Sequence, residues 1–277
     1  MKDEGILGGM NFILHPSSFR LPFSAFVRGT GALEEEGKGA LRFVVTDAND
    51  AQYSDAQLDD YQPLSRRNFL WRPPLRMSLR ARFSHPAGAL RGTAGFGFWN
   101  DPFMMTGPRK PALPRALWFF YASPPSNMAL ALDVPGFGWK AATIDALRWP
   151  FLALLPLSPV AAPLMNFRRL YRAAWPLAQR AINVSEAIVP AKMTDWHTYT
   201  IEWEARRVRF FVDQDLLLDC DTSPRGPLGF VMWLDNQFMI VTPQGRLKHG
   251  LLNAPGRQWM AIEHLQIQKI APERNLS

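Results

Sequence analysis

Alternating apolar and polar residues predict a run of β-strands in the last third of the chain. Residues 198–203 alternate strictly, residues 208–212 follow across a charged turn, and residues 216–220 follow a second turn. A break containing proline and glycine precedes the apolar run 228–234. Successive side chains of a strand point to opposite faces, so this pattern is typical of an antiparallel meander. It predicts an all-β fold.

The same pattern recurs earlier. Residues 75–83 place arginines on one face and apolar side chains on the other, which is typical of a half-buried strand. Shorter apolar segments predict further strands at residues 12–14, 41–45, 69–71, 93–99, 116–121, 128–134, 239–242 and 259–270. Residues 46–60 contain five aspartates whose spacing does not fit a calcium loop, and we interpret them as a solvated polar loop.

The strand pattern stops at about residue 136 and resumes at about 193. Residues 149–167 carry no charge but contain four prolines, which argue against a straight membrane-spanning helix. Residues 164–182 then have apolar residues at helical spacing and arginines on the other side.

Two interpretations of this insertion stay open. It forms either a lid packed on the β-domain or, over residues 148–182, a membrane anchor whose arginines meet lipid phosphates. Under either interpretation, Trp149, Phe151, Phe167 and Trp175 are the predicted contact residues.

The composition limits the classes of partner and cofactor that we expect. The net charge is +7 and the pI about 9.8, but the arginines are scattered, so we expect an anionic membrane surface rather than nucleic acid as a possible partner. The single cysteine, Cys220, excludes an internal disulfide, and we expect it to be buried. The histidines lack metal-binding spacing, and we expect neither metal nor cofactor. An acidic start without a signal-like core predicts a cytoplasmic protein, with membrane association as an option.

Three stretches resemble the concanavalin A-like lectin/glucanase superfamily, in particular bacterial proteins related to glycoside hydrolase family 16. They are the sequence WHTYTIEW at residues 196–203, residues 208–213 and residues 229–236. The resemblance implies a jelly-roll β-sandwich of two curved antiparallel sheets, with a ligand groove on the concave face. We therefore expect one domain over residues 1–277, with a helical insertion at about 136–193.

The resemblance also implies where catalytic acids would stand. Hydrolytic members carry an E-x-D-x-E strand, and by strand order its counterpart here is residues 117–121, which contain no acid. We therefore expect no standard glycanase activity. Asp101 and Asp235 remain the candidate acid and base of an altered active site.

A binding site remains the leading hypothesis. On the implied fold, aromatic and polar side chains border the groove, and they suit a carbohydrate or an amphiphilic, glycolipid-like ligand. The predicted ligand-binding residues are Trp99, Asn100, Trp118, Tyr121, Trp233, Asn236 and Gln237. Three functions stay open: a non-hydrolytic binding protein, an enzyme with an altered site, and a membrane-peripheral protein.

Overall fold

Two seven-stranded antiparallel sheets pack face to face in the computed structural model, which describes residues 23–36, 39–106, 110–221 and 223–270. Sheet A has the spatial order β1 (Ser24–Arg28), β4 (Asp55–Asp59), β13 (Gly229–Asp235), β6 (Thr93–Trp99), β7 (Arg115–Ala122), β8 (Gly138–Asp145) and β9 (Ser185–Ile188). Sheet B has the order β12 (Asp215–Cys220), β11 (Val208–Val212), β10 (His197–Trp203), β5 (Leu75–Phe83), β16 (Ala254–Lys269), β3 (Ala40–Ala48) and β2 (Gly31–Glu36). The predicted all-β jelly-roll sandwich is confirmed.

The core lies between the sheets because apolar residues alternate along the strands of both. In β5, Leu75, Met77 and Leu79 are buried, and the three arginines of the strand face outward. Phe119 of sheet A meets Tyr199 of sheet B edge to face, with ring centroids 4.9 Å apart. Each such buried side chain contributes about 1.5–3 kcal/mol through removal of apolar surface from water.

Three helices fill the connection between β8 and β9. They are α1 (Trp149–Leu154), α2 (Ser158–Leu164) and α3 (Arg168–Ile182), with a 3₁₀ turn at Leu155–Leu157 between the first two. The helical segment is shorter than the predicted insertion at 136–193, because the residues on either side pair as strands of sheet A. Together, α1, α2 and α3 form the lid. A hairpin of β14 (Gln237–Val241) and β15 (Leu247–Leu251) lies next to it.

Several sequence predictions need correction. Residues 46–60 are not wholly a solvated loop, because Asp55–Asp59 forms the fully buried strand β4. Residues 69–71 form no strand, and Trp71 makes a single bridge to Leu228. The apolar run 128–134 is irregular, since β8 occupies the position beside β7 and the apolar side chains of the run pack against the lid. The predicted strand at 12–14 lies outside the described residues.

Other features agree with expectation. Cys220 is buried, and burial raises the pKa of its thiol. Within the described ranges, no helix has both the length and the apolar character that a membrane span requires.

Candidate ligand-binding site

The outer face of sheet A carries a cluster of large aromatic side chains. Strand alternation turns Trp99, Trp118, Phe120 and Trp233 away from the core and toward one another. The rings of Trp99 and Trp233 are nearly parallel, at 7° with centroids 6.5 Å apart, and those of Trp118 and Phe120 are 5.2 Å apart. These four side chains are called the aromatic cluster. Their flat faces form one wall of a concave site.

Glycine makes room for this cluster. Gly95 lies on β6 directly opposite Trp233 of β13. A Cβ at Gly95 would come within 2.9 Å of Trp233 Cη2 and 2.4 Å of the Phe119 carbonyl oxygen. The absence of a side chain therefore lets the Trp233 ring lie across the strand.

The lid covers part of a cavity of about 480 Å³ that lies over the aromatic cluster. Its Phe151 and Trp175 line this cavity, and Trp175 Nε1 donates a hydrogen bond of 2.7 Å to the Leu130 carbonyl oxygen. Trp149 and Phe167 instead face solvent, with exposed fractions of 77% and 64%. Further apolar wall residues are Met105, Leu113, Met128, Leu130, Ile144, Ile182, Val184, Phe238 and Met239.

Asp235 supplies a polar group at one end of the cavity. Its Oδ1 accepts three hydrogen bonds, from Thr93 N at 3.2 Å, Thr93 Oγ1 at 2.8 Å and Gln237 N at 3.0 Å. Trp233 Nε1 donates to Thr93 Oγ1 at 2.9 Å, which joins the aromatic cluster to the acid. Burial raises the pKa of Asp235 to about 6, although these hydrogen bonds oppose the shift.

Strand β4 adds polar groups that the sequence analysis missed. Asp55 pairs directly with Asp235, and Gln57 pairs with Trp233, so these side chains share the outer face of sheet A. Asp55 is fully buried, and neither of its carboxylate oxygens has a hydrogen-bond partner within the described chain, although the Tyr53 hydroxyl is its near neighbour. Burial and the charge of Asp235 hold the pKa of Asp55 well above its usual range. The alternation of Asp55, Gln57 and Asp59 with apolar residues was the available signal.

A buried ion pair lies on the opposite side of the cavity. Lys140 Nζ of β8 contacts Glu186 Oε1 of β9 at 2.8 Å, with exposed side-chain fractions of 1% and 6%. Lys140 Nζ also donates to the Pro135 carbonyl oxygen, and Glu186 Oε2 accepts from Ala131 N. Burial raises the pKa of Glu186, and Lys140 opposes that shift. Both charges are therefore already paired before any ligand binds.

The structure places the remaining predicted residues elsewhere. Asn100 bonds to the backbone of Leu113 and Arg115, and the Asn236 side chain bonds to four backbone groups. Tyr121 faces the core and donates to the Leu90 carbonyl oxygen. Only Gln237, of the predicted polar residues other than Asp235, lines the cavity.

Asp101 and Asp235 do not form a pair. They flank opposite ends of β6, whose seven residues at about 3.3 Å each separate them by roughly 20 Å. Asp101 Oδ1 accepts from Met105 N at 2.8 Å and stabilises the loop that follows β6. This distance is too long for an acid and a base acting on one bond.

Among the residues that the structure describes, no group of three or more His, Cys, Asp or Glu side chains could hold a metal ion.

Comparisons with known proteins show a likeness of fold. A Clostridium perfringens endo-β-galactosidase that releases GlcNAcα1-4Gal matches with a TM-score of 0.51 at 12% identity, over 96% of this chain and 62% of that one. A laminarinase from Flavobacterium sp. UMI-01 matches with a TM-score of 0.49 at 10% identity, over 93% and 97%. The Bacillus licheniformis β-glucanase matches with a TM-score of 0.45 at 8% identity, over 90% and 92%. No protein-family model and no curated protein matches the sequence.

Proposed function

We propose that this protein binds an amphiphilic ligand in the cavity under the lid and does not hydrolyse it. The observation that carries the proposal is the cavity of about 480 Å³, walled by the aromatic cluster and by apolar side chains of the lid, among them Phe151 and Trp175. This volume lies in the range of small-molecule sites, which spans about 300–1,000 Å³. Sites of this kind bury an apolar ligand body and orient it through a few polar groups.

The outward-facing residues of β7 support the non-hydrolytic part of the proposal. They are Ala116, Trp118, Phe120 and Ala122, on the strand where the resemblance would put catalytic acids. Glycoside hydrolysis uses two carboxyl groups about 5–10 Å apart on either side of the scissile bond. Asp235 lines the cavity, whereas Asp55 is buried beside it and is not part of the wall. The other carboxyl group in the wall, Glu186, is paired with Lys140 and lies on β9, four strands from the β13 strand of Asp235. At about 4.8 Å per strand the two carboxyl groups are roughly 19 Å apart across the sheet, too far to act on one bond.

Replacement of Trp118 by alanine tests the cavity. We expect Trp118→Ala to weaken binding of octyl β-glucoside at least tenfold, because it removes a large stacking surface from the wall. Isothermal titration calorimetry below the micelle-forming concentration measures the affinity. The matched control is Trp196→Ala, because Trp196 lies under Arg80 and Arg82 on sheet B. Equal affinities in both variants, or release of glucose by the wild type, would contradict the proposal.

A second candidate function, contact with an anionic membrane, is favoured by the surface of the lid. Trp149, Leu157, Val160 and Phe167 are between 59% and 77% exposed. Residues 146–185 contain five arginines and no acidic residue. Exposed apolar groups flanked by arginines fit the interface of a bilayer that contains anionic lipid.

Flotation with vesicles tests the membrane candidate. We expect the wild type to float with vesicles containing phosphatidylserine and to remain unbound with pure phosphatidylcholine vesicles. The double variant Trp149→Ser, Phe167→Ser should lose roughly 80% or more of the floated fraction. Each change removes an exposed aromatic side chain whose transfer from water into the bilayer interface would favour binding. Leu216→Ser is the control, since Leu216 is 53% exposed on sheet B. No flotation of the wild type, or an equal loss in the control, would exclude the lid as the membrane contact.

A further inference from the structure

The polar groups that line the cavity include Arg115, the ion pair of Lys140 and Glu186, and Asp235. Arg115 stands at the start of β7, whereas Asp235 lies near the other end of that strand, because it pairs with Thr93 and Thr93 pairs with Ala122. The ion pair and Asp235 differ in what they can offer a ligand. The ion pair of Lys140 and Glu186 is satisfied internally, because each charge also bonds to the backbone. Asp235 is different. All three of its hydrogen bonds go to Oδ1, and Oδ2 accepts none from any residue that the structure describes.

The geometry points to Asp235 as the residue that selects a ligand whose polar end is a hydrogen-bond donor, such as a neutral hydroxylated head group. This inference rests on the proposed binding function and names the ligand class within it. It assigns to Asp235 a recognition role, through Oδ2, and not a chemical step.

The hydrogen bonds fix the Asp235 side chain. Thr93 Oγ1 accepts from Trp233 Nε1 and donates to Asp235 Oδ1, so one hydroxyl group links the aromatic ring to the acid. Gln237 N holds the same oxygen. With Oδ1 saturated, Oδ2 is the oxygen left for a ligand, and Asp235 and Trp233 both line the cavity, two residues apart on β13. A flat apolar face next to a fixed acceptor is an arrangement that suits a sugar or another polyol ring.

Gln57 adds a second acceptor. Its Nε2 donates to Asp59 Oδ2 at 2.8 Å, which sets the orientation of the amide and leaves Oε1 available. Gln57 lines the cavity and pairs across strands with Trp233, diagonally from Asp235. Two acceptors are therefore available at the same end of the cavity. An anionic head group there would be repelled by the Asp235 carboxylate and would receive no hydrogen bond from it.

Two probes with the same alkyl chain, one with a neutral and one with an anionic head group, test the inference. Wild-type protein is titrated calorimetrically with octyl β-glucoside and with octyl sulfate, which share a chain length but offer donors and acceptors respectively. We expect the glucoside to bind at least tenfold more tightly than the sulfate. In Asp235→Asn the amide oxygen keeps the hydrogen bonds from Thr93 and Gln237, and the NH₂ group faces the ligand. The ratio of the affinity for the glucoside to the affinity for the sulfate should therefore fall at least tenfold. Asp219→Asn, a surface change in an ion pair with Arg207, is the control and should keep the wild-type ratio.

The outcomes separate the two proposals. An unchanged ratio in Asp235→Asn, with Trp118→Ala still weakening both probes, would overturn the inference and leave cavity binding intact. Failure of both probes to bind the wild type would overturn both proposals.

Should Asp235→Asn fail to fold, titration of the wild type at pH 5 and pH 8 tests the same inference. Protonated Asp235 is a hydrogen-bond donor, so octyl sulfate should bind more tightly at pH 5. Burial raises the pKa of Asp55 and of Tyr53, which neighbour Asp235 from the β4 side, and this favours their neutral forms. Burial also raises the pKa of Glu186, so the same pH comparison in Glu186→Gln separates the effect of that carboxyl group from the effect of Asp235. A sulfate affinity that does not change with pH in that experiment would overturn the inference.

Discussion

Replacing Lys140 with alanine is expected to lower the free energy of unfolding by about 3–5 kcal/mol at pH 7 to 8, because a buried charge loses its partner. Lys140 and Glu186 are 1% and 6% exposed, so water cannot take the place of the missing ammonium group. Chemical denaturation followed by tryptophan fluorescence measures the change.

A double replacement separates the cost of the unpaired charge from the loss of packing. Lys140→Met with Glu186→Leu should return to within about 1–2 kcal/mol of the wild type, since apolar residues of similar volume replace buried ion pairs at little cost. The defect of Lys140→Ala should also shrink at pH 5, because the raised pKa of Glu186 lets that carboxyl take up a proton. Equal stability of the single variant and the wild type at pH 8 would show that water reaches Glu186.

The second large effect is a fall in stability as the pH rises from 5 to 8. Burial raises the pKa of Asp60 to about 7 and that of Asp235 to about 6, and it holds the pKa of Asp55 well above its usual range. Between the unfolded and folded pKa values, the folded state holds more protons than the unfolded state. Stability therefore decreases with pH in that window. Asp60 and Asp235 alone should account for a loss on the order of 2–4 kcal/mol, at about 1.36 kcal/mol per pKa unit, and Asp55 adds to it.

Thermal and denaturant unfolding at fixed ionic strength, at pH 5 and at pH 8, tests this dependence. Asp55→Asn should make the protein more stable at pH 8 and flatten the profile, because it removes a buried carboxyl group whose oxygens have no hydrogen-bond partner in the described structure. Asp213 shifts in the opposite direction: its hydrogen bond and charge interaction with His197 lower its pKa, so its contribution is lost only at acidic pH. A stability that rises from pH 5 to pH 8 would contradict the prediction.

The sequence predicted the sheets well because burial follows a period of two. The strands at 75–83 and 93–99 agree in their bounds with β5 and β6. Strand β4 was missed because its aspartates resemble those of a solvated loop, although Asp55, Gln57 and Asp59 alternate with Ala56 and Leu58. Polar side chains on a buried face contradict the usual pattern, and here they mark the polar end of the cavity.

Long-range pairing limited the prediction of the site. Lys140 and Glu186 are 46 positions apart and meet only because β8 and β9 are neighbours. The stretch 149–167 could not show which of its apolar residues face inward, since no charged residue marks the other side. Phe151 lines the cavity and Trp149, two positions earlier, is in solvent. The sequence predicted that Trp99, Trp118 and Trp233 border one groove because each lies in a strand of clear register, and all three line the cavity.

The connectivity of the lid bears on how such a cavity can arise and be altered. β8 and β9 are hydrogen-bonded neighbours at the edge of sheet A, and their pairing closes with Thr143 opposite Ser185. Topologically, all three helices are an enlarged hairpin loop, and loops accept insertion or replacement without changing the strands that carry them. One exchange of this loop for a short turn would convert a roofed cavity into an open cleft. The volume of the cavity and its access from solvent can therefore change independently of the sandwich that supports them.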